Sequence, residues 1–169
     1  KMPWIEKCSH WKKKYPVYQE SSVDTGEKID LYYFIESLNR VLKKDSTVLS
    51  DAGSAGYAVS QGIKIRHEQR YVTSGGQMEM GYTVPAAIGV SVARNKGEAI
   101  GITGDGSFQL NLQELQTIVH YKLPVKMFVW NNDGYLSIRA TQRKFFEGRF
   151  IGTDPESGVS FPALEKIAD

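Results

Sequence analysis

Two short polar signatures close two successive strand-like runs. Asp105 lies in Ile102-Thr103-Gly104-Asp105-Gly106-Ser107, and Asn131-Asn132 follow the next apolar run, with 24 residues between Gly106 and Asn131. The first run is Ala99–Thr103, the second Pro124–Trp130, and the segment between them carries helical spacing. A β-α-β unit with parallel strands brings both carboxyl ends to one edge of the sheet, where open α/β sheets bind ligands. An aspartate carboxylate and an asparagine carbonyl are hard oxygen donors suited to magnesium, and a glycine-rich turn opening a helix suits a phosphate. The spacing therefore predicts a magnesium–diphosphate site, with Asp105 and Asn132 as metal ligands and Gly104, Gly106 and Ser107 beside the phosphates. Glycine at 104 and 106 allows close backbone approach. Gly-Asp-Gly alone reads first as a tight turn with Asp105 as a helix cap; the second half, at this distance, favours a site. A dinucleotide-binding turn needs a third glycine at position 109, which is Gln109.

The elements that must position these groups alternate. Ile29–Lys44 has an amphipathic stripe of Leu31, Phe34, Ile35, Leu38, Val41 and Leu42, so a helix is expected there. Thr47–Ser50 reads as a strand ending in Asp51-Ala52-Gly53, followed by a helix from Ser54 to about Gln61. Arg70–Thr73 reads as a strand ending in Ser74-Gly75-Gly76. Pro85 sits at the first turn of a helix of small residues running to about Asn95. Asn111-Leu112-Gln113-Glu114 resembles a capping box, opening a helix with Leu112, Leu115, Ile118 and Val119 on its buried face. From Asp133 to Gly158 no period survives, which predicts a long functional loop, and a last helix begins at Phe161-Pro162-Ala163-Leu164. Alternating strands and helices predict an α/β fold, a mostly parallel sheet with helices on both faces. Residues 1–26 read as a linker or interdomain arm with short helical pieces, and 27–169 as the diphosphate- and magnesium-binding domain.

Bulk properties narrow the classes. The chain has 169 residues, 41% hydrophobic and 24% charged, enough for one domain with a proper core. A net charge of +2 gives no argument for nucleic acid or an acidic membrane, so Lys12-Lys13-Lys14 reads as a solvated segment. No apolar run reaches the roughly 18 residues that span a bilayer. One cysteine, Cys8, excludes an intrachain disulfide and a cysteine-based zinc site, which fits a reducing cytoplasm. His10, His67 and His120 are scattered, and His120 reads as structural. The abrupt start at Lys1-Met2-Pro3-Trp4 and the helix-like end at Glu165–Asp169 suggest a fragment of a longer chain.

Gly104-Asp105-Gly106, the spacer and Asn131-Asn132 resemble the signature of thiamine-diphosphate-dependent enzymes. The stretch from Ser74-Gly75-Gly76 through Phe146 resembles the acetolactate synthase branch, and the likeness runs from about Ile29 to the C-terminus. The resemblance implies thiamine diphosphate and Mg2+ as cofactors, with the Gly134 carbonyl as a third metal ligand. It implies that the turn Gly53-Ser54-Ala55 meets the far end of the diphosphate through backbone amides. It places the aminopyrimidine on Gly76–Tyr82, with Met78 and Met80 offering backbone groups and the Met80 side chain wedged beneath the cofactor. Methionine suits a wedge because it is apolar, unbranched and adaptable.

The same resemblance implies a reaction on a 2-keto acid, decarboxylation followed by carboligation. No catalytic residue is expected in this chain, because the family's activating glutamate sits on a pyrimidine-binding domain of the same or a partner subunit. The isolated domain is therefore expected to be inactive, and a homo-oligomer with an apolar surface beside the sheet edge is expected. Ile138 stands where simple 2-keto acid decarboxylases place a glutamate, and an isoleucine cannot shuttle a proton. Thr141 stands where acetohydroxyacid synthases place a tryptophan, which leaves the acceptor open. Two alternatives stay open: the small subunit of a two-chain 2-keto acid decarboxylase, and a non-catalytic α/β interaction module.

Overall fold

The computed structural model describes residues 2–19 and 28–168. The expected boundary between residues 26 and 27 lies outside the described residues. The chain divides into two units, one of residues 1–42 and 58–64, the other of 43–57 and 65–169.

In the smaller unit, α1 (Met2–Lys14) is one continuous helix where the sequence suggested only short helical pieces. It has no buried stripe: Trp4, Ile5 and Trp11 are exposed, and Trp4 and Trp11 pack edge-to-face on one another. Lys12–Lys14 occupy its last turn, where cations complement the helix dipole. The second helix, α2 (Leu31–Val41), is shorter than the stripe suggested. It starts at Asp30, whose carboxylate accepts from the amides of Tyr32 and Tyr33 at 2.9 Å each. Ile35 and Leu38 are buried, whereas Val41 is exposed. Asn39 is buried too, and satisfied: it donates to the Gly62 carbonyl and accepts from the Lys64 amide, both at 2.9 Å.

The larger unit carries the sheet. Strands β1 (Thr47–Ser50), β2 (Arg70–Thr73), β3 (Ala99–Gly104) and β4 (Val125–Trp130) lie in the order β2-β1-β3-β4, every pair parallel. The sheet expected to be mostly parallel is thus wholly so among the described residues. Thr47 faces Arg70 on one side and Ala99 on the other, so Ser50, Thr73 and Ile102 come level, and β3 continues to set Gly104 opposite Trp130. The chain winds from β1 outward to β2, then crosses back to β3 and on to β4. The carboxyl ends of β1 and β3 therefore flank the point where the winding reverses, the usual ligand crevice of such sheets. Val48, Leu49 and Ile102 on these central strands are wholly buried, each worth about 1.5–3 kcal/mol.

Helix α3 (Gly53–Gly62) follows β1 and α4 (Thr83–Ala93) follows β2. The small residues of α4 let it press on the sheet, with Thr83, Val84, Ala87 and Ser91 buried. Gly101 in β3 makes the approach possible: a Cβ there would lie 2.7 Å from Thr83 Cγ2 and 2.6 Å from Met127 Sδ. After β3 comes the short α5 (Asp105–Gln109), a 3-10 turn at Leu112–Glu114, and α6 (Leu115–Tyr121).

Three expectations need correction. The Asn111 side chain makes no cap bond; it donates to the Gly81 carbonyl at 2.7 Å, because that buried carbonyl needs a partner more than the exposed turn does. Val119 is exposed, since α6 is short and turns only part of its apolar side inward. Residues 133–158 are not one loop: α7 (Leu136–Phe145) and a tight Asp154–Ser157 turn occupy them. The last helix, α8, covers only Glu165–Ala168.

Candidate cofactor site

A cleft opens at the carboxyl edge of the sheet. It is lined by Gly53 and Ser54 after β1, Met80 after β2, Gly104–Ser107 after β3, and Asn132 and Gly134–Ile138 after β4. Four separate strand ends thus supply it, as the sheet's parallel winding requires.

Asp105 joins the two halves of the predicted pair. Its carboxylate is buried, and one oxygen accepts from the Gly106 amide at 2.8 Å. The other accepts from the amides of Asn132 at 3.0 Å and Gly134 at 3.2 Å. Residues 27 and 29 positions away in sequence therefore meet at one oxygen. A carboxylate has about four lone-pair sites, so three amide bonds leave one free for a cation.

The Asn131–Gly134 turn is also braced from its far side. Arg139 on α7 donates to the Asn132 backbone carbonyl at 2.8 Å and to its side-chain oxygen at 3.2 Å. The Arg139 guanidinium lies 3.8 Å from the Asp154 carboxylate. Asp154 is held below the ordinary carboxylate range, first by the Ser157 hydroxyl, then by the Ser157 amide and the Arg139 charge. Gln142 binds the Ile151 backbone through both ends of its amide, at 3.2 Å each, which ties the following segment to α7. The Thr153 carbonyl accepts from the Tyr135 amide at 2.8 Å. Gly134 adopts φ +143°, and a Cβ on it would lie 2.0 Å from that same carbonyl oxygen. Only glycine fits this contact. Asp133 beside it also has positive φ, so strained backbone clusters at this turn.

Ser107 is placed beside the cleft, but its hydroxyl is committed within the protein. It donates to Asp51 at 2.6 Å and accepts from the Gly81 amide at 2.7 Å. The expected meeting of this hydroxyl with a phosphate is thereby corrected; the Ser107 amide in the first turn of α5 is what it can offer. Gly106 packs against the Tyr135 ring, where a Cβ would lie at 2.5 Å, so the position has no room for a side chain. Gly53, with φ +59°, and Ser54 line the cleft, whereas Ala55 is buried behind them and not part of the lining. Met80 reaches the lining and is 38% exposed. Met78, at φ +52°, turns its side chain toward Gly56 instead.

The model of the family described as "Thiamine pyrophosphate enzyme, C-terminal TPP binding domain" matches residues 51–169, the span that contributes all these strand ends. The chain belongs to this family. It is 34% identical over 157 residues to the acetolactate synthase large subunit of Cyanidium caldarium, covering 92% of this chain and 26% of the relative. It is 39% identical over 129 residues to an acetolactate synthase of Arthrospira platensis, covering 74% and 21%. With the acetolactate synthase isozyme 3 large subunit of Escherichia coli (strain K12) it shares 33% over 162 residues, covering 95% and 28%. The chain spans about a quarter of the length of the curated relatives it matches.

Several residues that shape this TPP-binding domain were not singled out in the sequence. Asp51 is fully buried and accepts from Ala52, Thr83, Thr103 and Ser107. Arg139, Gln142 and Thr153 brace the Asn132–Gly134 turn. Their one sequence signal was position: Asp51 ends a strand on the same edge as Asp105. Nothing in the spacing of Arg139 or Thr153 pointed to a role, because their contacts arise from a turn with no period.

Proposed function

We propose that the cleft binds the diphosphate of thiamine diphosphate together with Mg2+, as part of an acetolactate synthase-like enzyme acting on a 2-keto acid. The observation that carries this reading is the meeting of Asn132 and Gly134 at the buried Asp105 carboxylate. The donor set fits magnesium: one carboxylate, the Asn132 side-chain oxygen and the Gly134 carbonyl are hard oxygen ligands. Among the described residues no three His, Cys, Asp or Glu side chains gather as a metal cage. The cation and diphosphate are therefore read as binding together, each completing the site for the other.

In this reading the amides of Gly106 and Ser107 and the turn Gly53-Ser54-Ala55 bind the diphosphate, with Gly104 giving room for its approach. The Met78 carbonyl and the Met80 amide meet the aminopyrimidine, with the Met80 side chain as the wedge. When bound, the cofactor supplies an electron sink for decarboxylating a 2-keto acid and joining the remainder to a second carbonyl compound. Leu136 and Ile138 give the cleft an apolar mouth, and Ile138 offers no proton to end the reaction as simple decarboxylation. Carboligation is favoured for that reason.

The working enzyme is read as a homo-oligomer in which a pyrimidine-binding domain, of the same or a partner subunit, supplies the activating glutamate. The domain alone is accordingly read as inactive. Exposed Leu136, Ile138, Phe145, Phe146 and Ile151, on and just after α7, support such a partner. Among the described residues no helix is long and apolar enough to cross a membrane. The lone Cys8 supports a reducing, cytoplasmic setting.

Calorimetric titration with thiamine diphosphate, with and without magnesium, tests the reading in the protein assembled with its pyrimidine-binding domain. Metal-dependent binding is expected in the parent and none in Asp105→Ala, with folding of the variant checked by its thermal transition. Unchanged affinity in a folded Asp105→Ala variant would refute the role given to this carboxylate.

A further inference from the structure

Asp51 is the one wholly buried carboxylate among the described residues that the proposed cofactor site does not use. One of its oxygens accepts from the Ala52 amide at 2.8 Å. The other accepts from the hydroxyls of Ser107 at 2.6 Å and Thr103 at 2.9 Å and from the Thr83 amide at 3.3 Å. These donors belong to β3, α4 and α5, so one side chain at the end of β1 ties together the elements around the reversal point of the sheet.

The Ser107 hydroxyl extends this tie. By donating to Asp51 it turns its lone pairs outward, and one of them accepts from the Gly81 amide at 2.7 Å. The Gly81 carbonyl accepts from Asn111 at 2.7 Å, so both of its backbone polar groups are pinned by side chains. Gly81 has φ +81°, and a Cβ would lie 3.0 Å from both Asn111 and Leu110, so the backbone here is packed closely against that turn. Met80 immediately precedes it and is exposed in the cleft.

We propose that Asp51 is a positioning residue, which through the Ser107 hydroxyl and the Gly81 amide sets Met80 at a fixed height over the diphosphate-binding edge. This rests on the reading that Met80 meets the aminopyrimidine. The carboxylate is needed because a hydroxyl left to rotate can also point its hydrogen at Gly81, where it would repel the amide; a strong acceptor on the other side fixes its direction.

The test is calorimetric titration of the assembled enzyme in magnesium buffer with two probes, thiamine diphosphate and inorganic pyrophosphate. Parent, Ser107→Ala, Asp51→Asn and the double variant are compared. Ser107→Ala keeps the amide that meets the diphosphate, so pyrophosphate affinity is expected to change by less than about twofold, while thiamine diphosphate weakens about tenfold. Asp51→Asn shifts the ratio of the two affinities in the same direction by less, since its remaining oxygen still accepts from Ser107. The double variant is no worse than Ser107→Ala, because both act through one hydroxyl. Equal weakening of both probes, or additive shifts in the double variant, overturns the proposal. Should Ser107→Ala not fold, the ratio in Asp51→Asn decides alone, and no change in it overturns the proposal. A parent that binds both probes equally tightly sinks the pyrimidine-side role of Met80, and the relay with it.

Discussion

Gly134→Ala concentrates the physics of the site in one methyl group. The added Cβ would lie 2.0 Å from the Thr153 carbonyl oxygen, against the 3.4 Å at which ordinary contact begins, so something must move by 3.4 − 2.0 = 1.4 Å. Thr153 is poorly placed to yield. Its carbonyl accepts from Tyr135, its amide donates to the Ser157 hydroxyl at 2.9 Å, and the residue is fully buried. The displacement therefore falls on the Asn132–Gly134 turn, which pulls away from Asp105. Overpacking of this kind costs roughly 1–3 kcal/mol, and an alanine forced near φ +143° costs about 1–3 kcal/mol more. The sum, about 2–6 kcal/mol, lowers the melting temperature by roughly 5–20 °C in a chain of this size. Metal-dependent binding of thiamine diphosphate should be lost with it. Gly148→Ala is the control: its φ is also positive, at +75°, yet a Cβ there meets nothing within 4 Å. It should cost about 1–3 kcal/mol of strain and leave binding intact. Thermal melts and calorimetry on both variants decide. A Gly134→Ala protein that melts and binds like the Gly148→Ala control would show that the close contact does not govern the turn.

Three further outcomes are expected elsewhere. Gly101→Ala drives a methyl against Thr83 and Met127 and should destabilise by about 1–3 kcal/mol in urea melts, with the affinity of whatever protein remains folded unchanged. Asp30→Ala removes an N-cap that receives two amides and should cost about 1 kcal/mol, read as loss of helical circular dichroism at lower urea; an unshifted midpoint would refute the capping role. Acid should loosen the Asn131–Gly134 turn through Asp154 and its contact with Arg139. Its folded pKa lies below the ordinary aspartate value of 3.8, so its contribution is complete above that value and is lost as pH falls through the lower, folded one. Thermal melts from pH 5 downward should show an acid loss of stability in the parent that is smaller in Asp154→Asn, and equal losses in both would refute the role given to Asp154.

What the chain's order of residues determined alone was periodic or chemical. The alternation of short strand-like runs with helical stripes specified a parallel α/β sheet, and the buried β3 writes itself as the near-continuous apolar run Ala99–Ile102. The types and spacing of Asp105 and Asn132 put both at one edge of that sheet, where the structure joins them through the Asp105 carboxylate. Tertiary structure decided whatever depends on distance between segments without a period. It turned residues 133–158 from an expected loop into α7 and a braced turn, through Arg139, Gln142 and Thr153, whose partners lie across a fold rather than at a fixed step along a helix or strand. It also redirected Asn111 and Ser107 from their expected tasks to the two sides of Gly81, since buried backbone groups claim the nearest polar side chain whatever motif that side chain belongs to.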